Sequence, residues 1–288
     1  MDIFLNELER LYPRLSKGQK RIADFILHSC EDAAFMTAAK IGERTGVSES
    51  TVVRFAYALG LDGFPALQAR MQEFVRHRLT SLERIRMASG IPQNEVLRST
   101  LTSDMNNLRM TIERMDNEVF TAAVDALLSA KKVYVLGVRS TAALAQFFYY
   151  YLDYVCDNVM PVMGTTQNVF DKLVRVGPSD VLFGISFPRY SSVTVRAMRS
   201  AKQRGATVIA LTDQADSPLA RIADYTLYAR SDMASFADSL VAPLSVINAL
   251  LVAVGRARND EAMRHLACLE EVWRTEGVYL GDEPGATP

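Results

Sequence analysis

Histidine and cysteine are scarce in this sequence, with three of each in 288 residues. Cys30, Cys156 and Cys268 lie far apart, form no CxxC pair and have no histidine beside them, which argues against a zinc framework and a disulfide scaffold. All three are therefore expected to be small buried apolar residues. The full GxGxxG fingerprint of a dinucleotide site is also missing. Neither a metal nor an organic cofactor is expected. No apolar run reaches the roughly 18 residues that span a bilayer. Asp2, Glu7 and Glu9 stand where a signal peptide would be basic. A cytoplasmic chain with no membrane partner is expected. A strong charge of one sign is lacking too: 32 Lys and Arg against 33 Asp and Glu leave a formal net charge of −1. Any attraction for nucleic acid must then come from a local basic surface.

What is present is ordinary globular material, 49% hydrophobic and 23% charged. A chain of this length is expected to hold two domains. Up to about Val75 apolar residues recur at three- and four-residue spacings with no alternating stretch, so this part is all helical. Ser16 and Gln19 form a capping box before a helix carrying Ile22, Phe25 and Ile26, with a break expected at Asp32. A second helix starts near Thr37, covers Ala38, Ala39 and Ile41, and ends at Gly46. A third starts at Ser48 and runs through Val52, Val53, Phe55 and Leu59 to Gly60. The pattern loosens between Leu79 and Glu95 and becomes helical again over Val96–Met115. The expected boundaries are residues 1–78 for the helical domain, 79–95 for a linker, 96–280 for a second domain and 281–288 for a tail.

The second domain alternates short β-branched runs with helical segments, the mark of a parallel sheet covered on both faces. Val133–Leu136, Val159–Val162, Val181–Ser186, Thr207–Thr212 and Tyr225–Tyr228 are the expected strands. The fold class is thus α plus α/β, a helical bundle followed by a doubly wound parallel-sheet sandwich.

The segment from Thr37 to Arg54 has a helix-turn-helix layout. Ala39 is small where two helices would cross, Gly46 permits a left-handed turn, and Val47, Val52 and Val53 can lock the second helix into the core. Ser48, Ser50 and Thr51, with Arg54 one turn later, place hydrogen-bonding groups at the amino end of a recognition helix, where base edges and phosphates are reached. Thr37, Lys17, Lys20, Lys40 and Arg44 are flanking candidates for DNA contact. Ser48 serves equally as a helix cap, and Arg54 as an ion-pair partner of Glu49.

Two strand-to-helix loops suggest a ligand site. After the first strand come Gly137-Val138-Arg139-Ser140-Thr141, and after the third come Ser186-Phe187-Pro188-Arg189-Tyr190-Ser191-Ser192. Hydroxyls and free N–H groups at helix starts hold anions, and the helix dipole favours them. The two loops would converge on one crevice at the carboxyl edge of the sheet. Arg139, Ser140, Thr141, Ser186, Arg189, Tyr190, Ser191 and Ser192 are the candidate ligand-binding residues. Catalysis is the rival reading, but it needs a group that moves protons near neutral pH. His28 and His77 lie in the helical half, His265 lies near the C-terminus, and no strand-end Glu accompanies the loops. A sensor is favoured over a sugar-phosphate isomerase with an accessory helical domain, and no catalytic residue is assigned.

Residues Ser16 to Val75, including Val47–Phe55 and Leu59-Gly60-Leu61-Asp62-Gly63-Phe64-Pro65, resemble the helix-turn-helix domain of RpiR-type regulators. The second half resembles a sugar isomerase (SIS) domain at Gly137–Ala142 and Ile185–Thr212. The resemblance implies a transcriptional regulator that binds a phosphosugar or related catabolic intermediate and alters the grip of a homodimer or homotetramer on palindromic double-stranded DNA. It also implies phosphate contacts at Ser140, Ser186 and Ser191. The third-strand loop departs from the usual Ser-x-Ser-Gly-x-Thr pattern, because Pro188 removes a hydroxyl and Arg189 replaces a glycine. The expected ligand is therefore an anionic metabolite, with a sugar phosphate as one form. The Phe187–Tyr190 loop can serve the ligand or a subunit interface. Val241–Val254 and Phe147–Tyr151 can serve an interface or the core.

Overall fold

The computed structural model describes residues 3–76, 85, 91–232 and 237–279. The chain divides into two compact units, Met1–Ser89 and Gly90–Pro288. Most of the expected linker, the expected tail and His77 lie outside the described residues. Within the linker, Gln93–Glu95 form one 3-10 turn.

The first unit is helical among its described residues: α1 (Ile3–Leu11), α2 (Lys17–Ala33), α3 (Ala38–Thr45), α4 (Glu49–Ala58) and α5 (Phe64–Arg76). The capping box is present, with Ser16 accepting from the Gln19 N–H and the Gln19 side chain accepting from the Ser16 N–H. The expected break at Asp32 is not there. Helix α2 continues to Ala33, and its irregularity is a kink at Ser29, where φ is −144°. Ile22, Ile26, Ile41, Val52, Phe55, Leu67 and Met71 are fully buried and hold the bundle together.

The second unit begins with α6 (Val96–Glu113) and α7 (Asn117–Ser129). It continues as β1 (Val133–Gly137), α8 (Ala142–Leu152), β2 (Val159–Val162), α9 (Thr166–Lys172), β3 (Val181–Ile185), α10 (Ser192–Gln203), β4 (Thr207–Thr212) and β5 (Tyr225–Tyr228). Helices α11 (Val241–Ala257) and α12 (Asn259–Glu276) complete it. The five strands pair in the order β2-β1-β3-β4-β5, all parallel. Alternate residues of each strand face opposite sides, so the sheet builds two cores. Val135, Phe183, Ile209 and Leu211 pack against α7, α8 and α11. Tyr134, Leu136, Leu182, Val208 and Ala210 pack against α9 and α10. The sandwich is doubly wound, as the alternation of strands and helices in the sequence requires.

Cys30 and Cys156 are buried as expected, but Cys268 is exposed, on the solvent side of α12. In the aromatic run Phe147–Tyr151, Phe148 is buried in the core while Tyr150 and Tyr151 are exposed to solvent. Among the described residues no single helix is long and apolar enough to cross a membrane.

Candidate functional site

In the helical unit, α3 and α4 are joined by a tight turn. Thr37 caps α3 through the Lys40 N–H, and Gly46 ends it with φ at 63°, a left-handed conformation that a side chain would strain. The Val47 N–H then donates back to the Gly42 carbonyl at 2.9 Å. The small residue that lets the helices cross is Gly42 and not Ala39, which is exposed. A Cβ on Gly42 would lie 2.8 Å from the Val47 carbonyl oxygen and 3.3 Å from the Glu49 nitrogen, both backbone atoms that cannot swing aside. Val52 is buried, whereas Val47 and Val53 are half-buried.

Ser48 caps α4, and its Oγ also lies 3.0 Å from Ser50 Oγ and 2.8 Å from Thr51 Oγ1. The three hydroxyls thus form one connected, outward-facing group at the amino end of α4. Arg54 stays with its own helix, donating from Nε to the Ser50 carbonyl at 3.3 Å, and does not take up the pairing considered with Glu49. Helix α2 arrives beside this end: a Cβ on Gly18 would touch the Thr51 methyl at 3.5 Å and Val47 at 3.6 Å. Lys17 therefore begins a helix next to the start of α4. The Lys20 ammonium stands 5.4 Å from the centre of the Tyr12 ring. Lys40 pairs with Glu43 at 2.8 Å, and that hydrogen bond lowers the Glu43 pKa. The sequence reading missed Arg21, whose guanidinium reaches within 3.2 Å of a Cβ built on Gly46 and so overlies the turn.

In the second unit, the strand order changes direction between β1 and β3, since β2 lies to one side of them and β4 and β5 to the other. Open α/β sheets bind ligands at the carboxyl ends of strands at this switch point. Both candidate loops leave from it. Gly137 ends β1, and a Cβ there would lie 2.5 Å from the Thr141 carbonyl oxygen and 2.7 Å from Ala145 Cβ, so only glycine lets the chain turn this tightly into α8. Arg139 and Ser140 are exposed. Thr141 is buried, and its hydroxyl faces the carbonyls of Val138 at 2.9 Å and Ile185 at 3.1 Å. Its proton is committed to backbone, which makes Thr141 a strut between the loops.

In the second loop, Ser186 is buried and its Oγ accepts the Ser191 N–H at 3.1 Å. Ser191 caps α10 through the Thr194 N–H at 3.4 Å, and Ser192 is exposed in its first turn. The Tyr190 hydroxyl donates to Asp213 Oδ1 at 2.7 Å, and Thr212 reaches the same oxygen at 3.3 Å. Burial, and next the Asp213 charge, push the Tyr190 phenol far above its ordinary range, so it stays a proton donor. Asp213, at the end of β4, was missed in the sequence. A third strand end is thus tied to the β3 loop through Tyr190, and its only advance signal was an acid directly after a strand.

Arg139 and Arg189, at φ of 58° and 62°, are the two positive-φ residues other than glycine among the described residues. Such a backbone costs about 1–3 kcal/mol and persists where surrounding structure enforces it, often at functional sites. The two strand ends of the switch point each carry one of these strained, exposed arginines.

Residues 3–76 match the model of the helix-turn-helix domain, rpiR family, and residues 126–253 match that of the SIS domain. An HTH-type transcriptional regulator of Haemophilus influenzae is 29% identical over 226 residues, covering 77% of this chain and 78% of that protein. The sugar isomerase domain of an RpiR transcription factor from Sphaerobacter thermophilus is 31% identical with a TM-score of 0.59, covering 62% of this chain and 99% of that one. The NanR protein of Vibrio vulnificus, complexed with ManNAc-6P, shares the fold with a TM-score of 0.57 at 20% identity, covering 93% of this chain and 97% of that one.

Proposed function

The chain belongs to the RpiR family of helix-turn-helix transcriptional regulators with a SIS domain, and we propose that it senses a small anionic metabolite, a phosphosugar or related catabolic intermediate, in the crevice between its β1 and β3 loops. The observation that carries this reading is the pair of left-handed arginines at the switch point. They stand in the two loops that leave these strand ends, the loops that also carry Ser140, Ser186, Ser191 and Ser192. Guanidinium groups hold phosphate and carboxylate by paired hydrogen bonds. The solved relative with ManNAc-6P bound supports the phosphosugar class.

On this reading the connected hydroxyls of Ser48, Ser50 and Thr51, with Arg54, meet base edges and phosphates. Lys17, Lys20, Thr37, Lys40 and Arg44 flank them, and Arg21 joins this set. Palindromic DNA calls for two copies, so the working form is a homodimer or homotetramer, resident in the cytoplasm with the DNA it controls. The crevice serves binding and not turnover. Its strand-end carboxylate, Asp213, accepts from the Tyr190 and Thr212 hydroxyls through Oδ1 and so ties the β3 loop to the end of β4. The effector acts by binding the DNA-gripping and DNA-releasing arrangements unequally.

Thermal shift of the full chain against sugar phosphates, small carboxylates and neutral sugars tests the ligand class. Stabilisation by an anionic compound, lost when Arg139 and Arg189 are both changed to Ala, is the expected result. Stabilisation that survives this double change would move the ligand elsewhere, and turnover of a sugar phosphate would favour an isomerase.

A further inference from the structure

The face that α4 turns to solvent extends well past the hydroxyl group at its start. Val52, Phe55 and Ala56 are buried. At 3.6 residues per turn the direction opposite them runs through Ser50, Arg54 and Tyr57, all three exposed. Tyr57 is 61% exposed, a large ring left in water one turn beyond Arg54. The turn that follows α4 gives this ring its place. The Leu61 N–H donates to the Ala56 carbonyl at 3.1 Å, and the Gly63 N–H donates to the Leu61 carbonyl at 2.8 Å. Gly63 is buried, with a left-handed φ of 89° that favours glycine. A Cβ there would lie 3.4 Å from the Tyr57 hydroxyl oxygen and 3.7 Å from the ring carbon that bears it, so the phenol end of the side chain rests beside the Gly63 backbone. Among the described residues the Tyr57 hydroxyl has no hydrogen-bond partner. The ring is thus located by the protein while its polar end is left for another molecule.

The distance along the helix indicates what that end meets. Ser50 and Tyr57 are seven residues apart, about 10 Å along a helix axis, and the major groove of DNA is about 12 Å wide. A recognition helix reaches base edges with the residues of its amino end. With Ser50 at that end, Tyr57 stands almost a groove's width further on, at the sugar-phosphate wall and not over the bases. Tyrosine hydroxyls are among the side-chain groups that hold phosphate oxygens and so fix a protein's register on the duplex.

We propose that Tyr57 is a further DNA contact of α4, its hydroxyl donating to a phosphate oxygen on the wall of the major groove while Ser50 and Arg54 stand nearer the bases. The inference rests on the reading of α3 and α4 as the DNA-reading pair, and it assigns Tyr57 to positioning the helix on the duplex instead of to reading sequence.

Binding isotherms of the full chain on a duplex that the wild type selects from random sequence test it. Tyr57→Phe keeps the ring and removes the donor. It should leave thermal unfolding unchanged and weaken binding on the order of 10-fold. The factor should be the same on the selected duplex and on its single-base variants, because a phosphate contact carries no base information. Uncharged methylphosphonate, placed at one backbone position after another, should reveal a position in each half-site where the wild type loses about as much and Tyr57→Phe loses nothing more. Failure of the wild type to select any duplex would overturn the DNA reading itself. Equal binding of the selected duplex by the wild type and Tyr57→Phe would overturn the contact alone. A loss in Tyr57→Phe confined to particular bases, or a loss in Tyr57→Ala that Tyr57→Phe does not share, would place the side chain over base edges and overturn the phosphate assignment. So would a methylphosphonate scan in which the two losses add at every position.

Discussion

The Thr141 hydroxyl at the entry to α8 lies 3.1 Å from the Ile185 carbonyl at the end of β3, so a buried side chain joins the two loops of the crevice. Thr141→Val keeps the shape and removes the donor. It should lower stability by about 1–2 kcal/mol in thermal or urea unfolding. It should also weaken effector binding by isothermal titration while leaving DNA affinity without effector unchanged. Unaltered effector affinity would show that the loops hold their positions without this strut.

Glycine to alanine inside a helix ordinarily stabilises by about 1 kcal/mol. At Gly42 the sign should reverse, because the added carbon would lie 2.8 Å from the Val47 carbonyl oxygen. Gly42→Ala is expected to lose about 1–3 kcal/mol of stability and to weaken operator binding, whereas Ala39→Ser on the exposed side of α3 should change stability little. Chemical denaturation followed by circular dichroism checks both.

Tyr190 is held neutral by burial and by Asp213. A phenol whose folded pKa lies above its unfolded value, ordinarily 10.0, contributes stability that is complete below that pH and is lost progressively as pH rises past it. The wild-type melting temperature should therefore fall more steeply above pH ~10 than that of Tyr190→Phe. At neutral pH the variant should be less stable by about 1–3 kcal/mol, because Asp213 loses a donor. Parallel alkaline slopes would show that Tyr190 does not titrate in this way.

Arg54→Ala should weaken operator binding on the order of 10-fold or more, and a phosphate-contacting Lys17→Ala should reduce the salt slope by about one. Binding isotherms at several salt concentrations separate the two. An unchanged affinity in Arg54→Ala would remove that residue from the DNA-reading surface.

Much of the frame was legible because it depends on local chemistry. The Ser16–Gln19 capping box, the glycine turn at Gly46, the Ser48 cap and the five β-branched runs each follow from neighbouring residues and backbone preference. What was misread depended on tertiary geometry. Ala39 and Gly42 both suit a close crossing, and only the path of α4 over α3 selects Gly42. Cys268 looks like any small apolar residue until α12 is placed with that side outward. Asp213 gains meaning only when β4 is set beside β3 and Tyr190 reaches across. The left-handed conformations of Arg139 and Arg189 had no residue-type signal, since arginine gives no reason to expect positive φ.

The most direct measurement is a titration of the full chain on the DNA immediately upstream of its own gene, at two salt concentrations, with and without sugar phosphates and small carboxylates. The account predicts specific, salt-sensitive binding whose midpoint shifts with one anionic compound, and no shift with that compound when Arg139 and Arg189 are both Ala. Absence of specific DNA binding under every condition, or a response that persists in the double variant, would contradict it.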